Sequence, residues 1–326
     1  MLPRSGLLEQ SVAADGPLRG PPLNRGVRQG RRRTLTMRRT VALRPQTPTL
    51  RSFLFLAYAL TWVTLGPWFY AFNVVYHEKI PGWMWAFAPL ALVGGWGPSI
   101  AALIVTARTG GRDAVRRLAR SMLVWRVPIR WYLAVIALPP LVTAASLLIV
   151  DRGPATLRQF DVGAALANIP LAYALAVPFG PLGEELGWRG FALPRLLSRF
   201  GPGTATLLLG GFWTFWHIPM MLFSPGASLP SFMTLSVPSV LIFLVQITAE
   251  TALMTFLYLR MGASVLLAIL AHLTFNTAEA VLFGGLPHQA VERLRSVYLV
   301  NVALLAVLGL IALVQLATAH RRRVAA

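Results

Sequence analysis

The sequence contains no cysteine and few charged residues. The absence of cysteine excludes disulfide bonds, thiolate metal ligands and a cysteine nucleophile from the 326 residues. Charged residues make up only 13% of the chain, whereas soluble domains carry about 25%. A soluble protein of this size would need more charge to cover its surface, so the composition favours a membrane protein.

Acidic residues are especially scarce. The chain has 11 Asp and Glu against 30 Lys and Arg, which gives a net charge of +19. An excess of arginine is typical of proteins that contact anionic lipid headgroups, and also of proteins that bind nucleic acid. The arginines lie between apolar segments and no nucleic-acid motif is present, so we expect a lipid bilayer as partner and no nucleic acid.

Apolar stretches recur from about residue 52 onward, and 56% of the chain is hydrophobic. A membrane-spanning helix needs about 20 such residues. Eight stretches meet this length, at about 53–76, 84–107, 131–150, 164–183, 203–223, 236–258, 263–285 and 297–318. We therefore predict an all-α fold, a polytopic membrane helix bundle of about eight transmembrane helices. The fourth and fifth stretches are interrupted by proline and glycine, which is tolerated where protein covers the freed backbone groups.

Residues 1–50 differ from the rest of the chain, because they are rich in Arg, Pro and Gly and contain no long apolar run. We interpret them as a disordered basic N-terminal tail, followed by a membrane domain at 51–320. Met37 opens a segment that would be an ordinary cytoplasmic start. The first 36 residues are therefore either part of this tail or an over-long start assignment.

The positions of the basic residues predict the orientation of the spans. With the N-terminus inside, 25 of the 30 Lys and Arg fall in inner segments. Inner loops of membrane proteins carry such an excess of positive charge. We therefore predict an integral membrane protein with both termini cytoplasmic. We expect the membrane to be a prokaryotic plasma membrane.

A few polar residues lie inside the apolar stretches, where each charge costs about 2.5–3.5 kcal/mol to insert. Glu184 and Glu185 are adjacent at the inner end of the fourth stretch. Glu185 and Arg189 are four residues apart, so they can form an ion pair on a helix. Glu184 points about 100° away and is free to face another group. This spacing predicts one structural and one reactive glutamate.

Two further stretches contribute polar groups. His217 lies among aromatic residues in the fifth stretch, and His272 and Asn276 are four apart in the seventh. A lone intramembrane histidine is more often a structural hydrogen-bonding residue. Two histidines, one asparagine and a free glutamate on three spans favour a site for proton transfer, metal ligation or oxyanion binding.

These residues form three short motifs, all within 181–276. They read Glu184-Glu185-Leu-Gly-Trp-Arg189, Trp213-Thr-Phe-Trp-His217 and His272-Leu-Thr-Phe-Asn276. In type and order they resemble the EExxxR, FxxxH and HxxxN signature of the CAAX prenyl protease and bacteriocin-processing (CPBP) intramembrane proteases, also called the Abi or type II CAAX protease family. The resemblance covers about residues 170–280. Trp213 departs from it, since the family usually has Phe at this position.

The resemblance implies an intramembrane endopeptidase that uses a glutamate-activated water. By the motifs, Glu184 and His217 would activate the water, and His272 and Asn276 would bind the oxyanion. Glu185 with Arg189 would hold the helix end in place. The substrate would be a protein or peptide, either prenylated or otherwise membrane-anchored.

A metal ion is an open alternative for this site. The family is often described as metalloproteases, and Glu184, His217 and His272 would form a two-histidine, one-carboxylate set if a divalent metal such as zinc were bound. The chain has no HExxH motif. We therefore expect no tightly bound cofactor, with zinc as the alternative.

Two other functions fit the same residues. A small proton- or ion-coupled transporter would use the intramembrane Glu and His residues as a path, although the chain shows no internal repeat of the kind that many transporters carry. A non-proteolytic bacteriocin-immunity protein would keep the scaffold alone. Glu250, in the middle of the sixth stretch, belongs to none of the motifs. We expect it to pair with a neighbouring span, outside the site.

Overall fold

The computed structural model of the chain describes residues 47–76, 79, 81–153, 161–222, 236–284 and 291–324. These residues are mostly helical, and no strand occurs within the described ranges. Residues 1–46 of the predicted N-terminal tail lie outside the described residues. An all-α fold is therefore confirmed.

The described residues form twelve α-helices. The first six are α1 (Thr47–Phe69), α2 (Ala88–Gly95), α3 (Gly97–Arg120), α4 (Ile129–Val150), α5 (Val162–Phe179) and α6 (Pro181–Gly187). The next six are α7 (Leu193–Leu197), α8 (Pro202–Trp216), α9 (Ile218–Leu222), α10 (Val237–Arg260), α11 (Val265–Gly284) and α12 (Val291–Val324). A π-helical turn, Trp188–Ala192, joins α6 to α7.

Four segments of the described chain are long and apolar enough to cross a membrane. They are Thr49–Phe72, Ile129–Val150, Val237–Arg260 and Arg295–Arg322. Two bent pairs of helices bring the number to six, if each pair is one span. The polytopic helical membrane bundle is thus confirmed, whereas the number eight and the orientation of the termini stay predictions.

The two bent pairs contact each other at their breaks. The pair α2 and α3 bends by 59° and the pair α5 and α6 by 44°. At these bends the indole of Trp96 donates to the carbonyl of Pro178 (2.7 Å), and the Thr61 hydroxyl donates to the carbonyl of Gly94 (2.7 Å). Carbonyl groups near the breaks thus find partners on neighbouring helices, as a membrane interior requires.

Glycines on α6 allow this close approach. A β-carbon on Gly183 would lie 2.7 Å from the carbonyl oxygen of Gly95, and one on Gly187 would lie 2.5 Å from that of Pro98. Small residues let membrane helices pack backbone against backbone. The segment that carries Glu184 and Glu185 is therefore fixed directly against α2 and α3.

Helix α10 packs between α8 and α12, also through glycines. A β-carbon on Gly210 of α8 would lie 2.9 Å from Thr248, and one on Gly309 of α12 would lie 2.7 Å from Ala249. Thr248 and Ala249 are adjacent on α10. This part of α10 is consequently held from both sides, which fixes the position of the next residue, Glu250.

The Gly187 contact predicts an unusual effect of alanine. In a helix interior, Gly→Ala normally stabilises by about 1 kcal/mol. In Gly187→Ala the new methyl group would meet the Pro98 backbone, so we expect a loss of about 1–3 kcal/mol from overpacking. The thermal midpoint of the detergent-solubilised protein measures this change.

Gly211→Ala is the matched control, because Gly211 lies within α8 and a β-carbon there would contact nothing within 4 Å. We expect its thermal midpoint to equal or exceed that of the wild type. Equal midpoints for the two variants would contradict the proposed close packing of α6.

Candidate active site

Glu184 and Glu185 lie on α6, one turn after a break in the backbone. Gly180 ends α5 with φ −148° and ψ −94°, and Pro181 begins α6. The proline lacks an N–H and has a fixed φ, which suits the first position of a helix. Because adjacent helical residues point about 100° apart, the two carboxylates face different surroundings.

Glu185 forms the predicted ion pair with Arg189. Its Oε1 accepts a hydrogen bond from Arg189 Nη1 at 2.7 Å. The same oxygen lies 2.8 Å from Nδ1 of His272 on α11. All three side chains are buried. Glu185 therefore joins α6, the π-helical turn and α11 through a single oxygen atom.

Arg189 has two further contacts that connect it to other helices. Its Nη2 donates to the sulfur of Met254 on α10 at 3.2 Å. Its guanidinium carbon lies 4.4 Å from the ring centroid of Trp213 on α8, a distance at which a cation is attracted to an aromatic ring. The guanidinium thus fixes the position of the Trp213 ring.

Glu184 is held through one of its two oxygen atoms. Its Oε2 accepts hydrogen bonds from the indole of Trp213 at 2.6 Å and from that of Trp188 at 3.4 Å. Within the described residues no hydrogen bond reaches Oε1. One oxygen is thus oriented by the protein, and the other is available to a molecule in the cavity.

His217 lies immediately after α8, where the helix ends. Its Nδ1 lies 2.8 Å from the carbonyl oxygen of Trp213. A carbonyl can only accept, so Nδ1 carries the proton and Nε2 of the neutral ring is an acceptor. The rings of Trp216 and Phe243 contact the imidazole edge-on, with centroids 4.7 and 5.0 Å away. These contacts fix both the ring orientation and the tautomer.

His272 and Asn276 lie on the same face of α11. The His272 ring contacts the Trp213 ring edge-on at 4.9 Å. A β-carbon on Gly180 would lie 3.3 Å from the side-chain nitrogen of Asn276 and 3.6 Å from Oε1 of Glu184. The Asn276 amide and the available oxygen of Glu184 are therefore close neighbours across Gly180.

These side chains line one cavity of about 440 Å³. The motif residues that line it are Glu184, Trp213, His217, His272 and Asn276. Glu185 and Arg189 do not line it. The structure thus brings the proposed reactive groups together and places the Glu185–Arg189 pair behind them, as the spacing of the motifs predicted.

Two features of the site were missed by reasoning from the sequence. Trp213 was interpreted only as a departure from the Phe that is usual at this position, although its indole N–H donates to Glu184. Glu250 was expected outside the site, and this is wrong because it lines the same cavity. Its hydrogen-bond donor, Gln246, is one turn earlier on the same helix, not on a neighbouring span as expected. Because Trp188 lies four residues after Glu184, the contact between its indole and this carboxylate could have been predicted from the sequence.

The predicted metal set of Glu184, His217 and His272 was tested on this geometry. The donor types suit zinc, and each histidine has an outer partner of the kind that zinc-bound histidines have. In the part of the chain that the structure describes, however, no three Asp, Glu or His side chains are arranged to hold a metal ion. These side-chain positions do not form a metal site, so the metal set stays a prediction and the proposed chemistry uses the side chains and water alone.

The Glu185–Arg189 pair predicts a large effect of removing its cation. Arg189→Met would leave the Glu185 carboxylate buried without its closest charge partner. Loss of one partner of a buried ion pair destabilises by about 3–5 kcal/mol. We expect a correspondingly lower thermal midpoint in detergent.

The matched control is Arg116→Met, which removes the exposed ion pair of Arg116 with Asp113 (3.3 Å). Exposed pairs contribute about 0–1 kcal/mol, so the midpoint should barely change. A similar small change in both variants would show that the Glu185 network does not support the fold.

Comparison with known proteins bears on the same segment. A family described as type II CAAX prenyl endopeptidase Rce1-like matches residues 166–278. The chain is also similar to CAAX prenyl protease 2 of Methanococcus maripaludis, with 28% identity over 204 residues, which cover 59% of this chain and 72% of that protein. The matched region contains all three motifs. The resemblance predicted from the motifs is thereby confirmed over residues 166–278, where the chain is similar to the Rce1-like type II CAAX prenyl endopeptidases.

Proposed function

We propose that this protein is an intramembrane endopeptidase that cleaves a protein or peptide substrate with a water molecule activated by Glu184. The family supports an intramembrane CAAX-protease-like peptidase. The observation that carries the mechanism is the state of Glu184, a buried carboxylate with one oxygen held by two indoles and the other facing the cavity. This is the arrangement that a general base requires, because it is oriented and yet accessible to water.

His217 supports the activation of the water from a second direction. Its Nε2 is an acceptor because Nδ1 donates to the carbonyl of Trp213. A water molecule between Glu184 Oε1 and this nitrogen would donate one hydrogen to each. Transfer of the first hydrogen to Glu184 leaves a hydroxide, still held by Nε2 of His217, to attack the substrate carbonyl.

The oxyanion formed by this attack needs hydrogen-bond donors. The Asn276 amide is such a donor and lies near Glu184 across Gly180. His272 would donate from Nε2 when its ring is protonated, and Glu185 at 2.8 Å from Nδ1 would stabilise that charge. In other hydrolases, each donor aimed at an oxyanion lowers the activation free energy by about 2.7–4 kcal/mol. The proton on Glu184 then passes to the leaving amine.

The substrate is proposed to be a protein or peptide that reaches the cavity from the bilayer, prenylated or otherwise membrane-anchored. The relative named above is a CAAX prenyl protease, and the cavity lies among helices of membrane-spanning length. A lipid anchor or a hydrophobic segment would hold the cleavage site at the depth of the cavity.

Glu184→Gln tests the base directly. The amide keeps the size of the side chain and can still accept from the two indoles, but it cannot take a proton from water. Loss of a general base typically costs about 10²–10⁴ in rate, so we expect cleavage of membrane peptides to fall at least about a hundredfold with the thermal midpoint unchanged. Comparative proteomics of membrane peptides, wild type against variant, measures the loss.

Asp113→Asn is the control, because it makes the same chemical change at an exposed position on α3. It should leave cleavage unchanged. Full activity of Glu184→Gln would reject the mechanism. Proton flux into vesicles that is lost in Glu184→Gln, without any peptide cleavage, would favour the transporter instead.

Metal removal is a second test. The proposed chemistry uses side chains and water, so dialysis against a chelator should leave kcat/KM for peptide cleavage unchanged. A zinc peptidase treated in the same buffer should lose its activity. Loss of cleavage in our protein that added zinc restores would contradict the metal-free mechanism.

A further inference from the structure

A second set of polar side chains lines the same cavity, on helices that carry none of the three motifs. Gln246 and Glu250 are on α10, Tyr298 and Asn301 are on α12, and Thr143 is on α4. Polar groups inside a membrane protein are costly and usually serve a function. Half of the polar lining therefore has no role in the mechanism above.

Two linked hydrogen bonds in this set point toward Glu250. The hydroxyl of Tyr298 donates to Oε1 of Gln246 at 2.7 Å, and Nε2 of Gln246 donates to Oε1 of Glu250 at 2.9 Å. Both bonds point toward Glu250, so the carboxylate is the final acceptor of the chain. Linked bonds of this kind polarise one another, which strengthens the Gln246 donor and stabilises a negative charge on the Glu250 carboxylate.

The buried basic side chains at this site, Arg189 and His272, are both engaged by Glu185. The side chain of Glu250 is 5% exposed, and within the described residues Gln246 is its hydrogen-bond donor and no salt bridge reaches it. No Lys or Arg is among the described residues that line the cavity.

Glu185 shows how this chain treats a structural carboxylate. Glu185 is fully buried and its Oε1 receives both an arginine and a histidine. Glu250 receives one neutral amide and faces a cavity instead. A buried carboxylate requires a charged partner or several donors, so the missing partner of Glu250 is expected to arrive with the molecule that enters the cavity.

We propose that Glu250, oriented by Gln246 and Tyr298, binds a cationic side chain of the substrate, a lysine or an arginine close to the scissile bond. The inference rests on the proposed function, because it requires a peptide in the cavity. Glu250 is then a specificity-determining residue, while Glu184 in the same cavity performs the chemistry. The cationic side chain must be close to the scissile bond, because Glu184 and Glu250 line one cavity of about 440 Å³ that admits only a short stretch of peptide.

Binding without turnover tests the proposal. The Glu184→Gln protein in lipid nanodiscs is titrated with pairs of fluorescent peptides that differ only in lysine or norleucine at one position, which is scanned along the peptide. At one position we expect the lysine peptide to bind about tenfold more tightly, a difference of about 1.4 kcal/mol. Addition of Glu250→Gln, which keeps the volume and removes the charge, should abolish this preference.

Two further variants separate charge from packing. Tyr298→Phe removes the first donor of the chain and leaves Glu250 in place, so it should weaken the preference for lysine without abolishing it. Thr143→Val changes a hydroxyl in the same cavity whose hydrogen bonds are to Pro139 and Asn301, and should leave the ratio of the two affinities unchanged.

Three outcomes would overturn the proposal: equal affinities for the two peptides at every position, a preference that survives Glu250→Gln, or no binding of either peptide. Failure of the proposed function is distinguishable from these results. In that case the wild-type protein would cleave no peptide, while the preference for lysine in binding would persist. Cleavage without any preference for lysine would reject the role of Glu250 alone.

Discussion

The arrangement of the site depends on one buried carboxylate oxygen, Oε1 of Glu185. It accepts from Arg189 and lies within hydrogen-bond distance of His272, so it fixes one group from its own helical segment and one from α11. Arg189 in turn lies against the ring of Trp213, whose indole orients Glu184. The geometry of the reactive groups thus traces back to an ion pair that does not itself line the cavity.

This dependence explains why two adjacent glutamates are needed. A single carboxylate could not both balance the charge of Arg189 and remain open to water. Because neighbouring helical positions point about 100° apart, Glu185 faces the packed interior and Glu184 faces the cavity. The broken backbone before Pro181 and the close packing of Gly183 and Gly187 hold this short segment in place. Packing thereby makes a chemical distinction between two identical side chains.

Much of this site could be predicted from the sequence, because its main relationships are local. The four-residue spacings of Glu185 to Arg189 and of His272 to Asn276 place each pair on one helical face. The indole of Trp213 at Glu184 and the approach of Glu250 could not be predicted, since both depend on how α6, α8 and α10 pack. Hydropathy predicted eight stretches, whereas four or up to six spans among the described residues meet the criteria of length and composition, so the number eight stays a prediction. Average hydropathy does not record where proline and glycine bend a helix.

The cavity is lined by two sets of polar residues, one from the motifs and one from helices outside them. Its motif side holds the Glu184 carboxyl group, two imidazoles and the Asn276 amide, and its remaining polar lining ends in the Glu250 carboxylate. Glu185 is engaged by Arg189 and His272, whereas Glu184 and Glu250 are the two carboxyl groups that line the cavity. An acidic cavity within an apolar bundle would select substrates by charge as well as by membrane anchoring.

The most direct test of the central claim is a single turnover in water enriched in oxygen-18. Enzyme in excess cleaves a peptide once, and mass spectrometry then examines the product and the protein fragment that contains Glu184. If Glu184 activates water, the label appears in the new carboxyl terminus of the peptide and is absent from Glu184. Label in the Glu184 carboxylate would mean that this residue attacks the substrate itself, and would contradict the account.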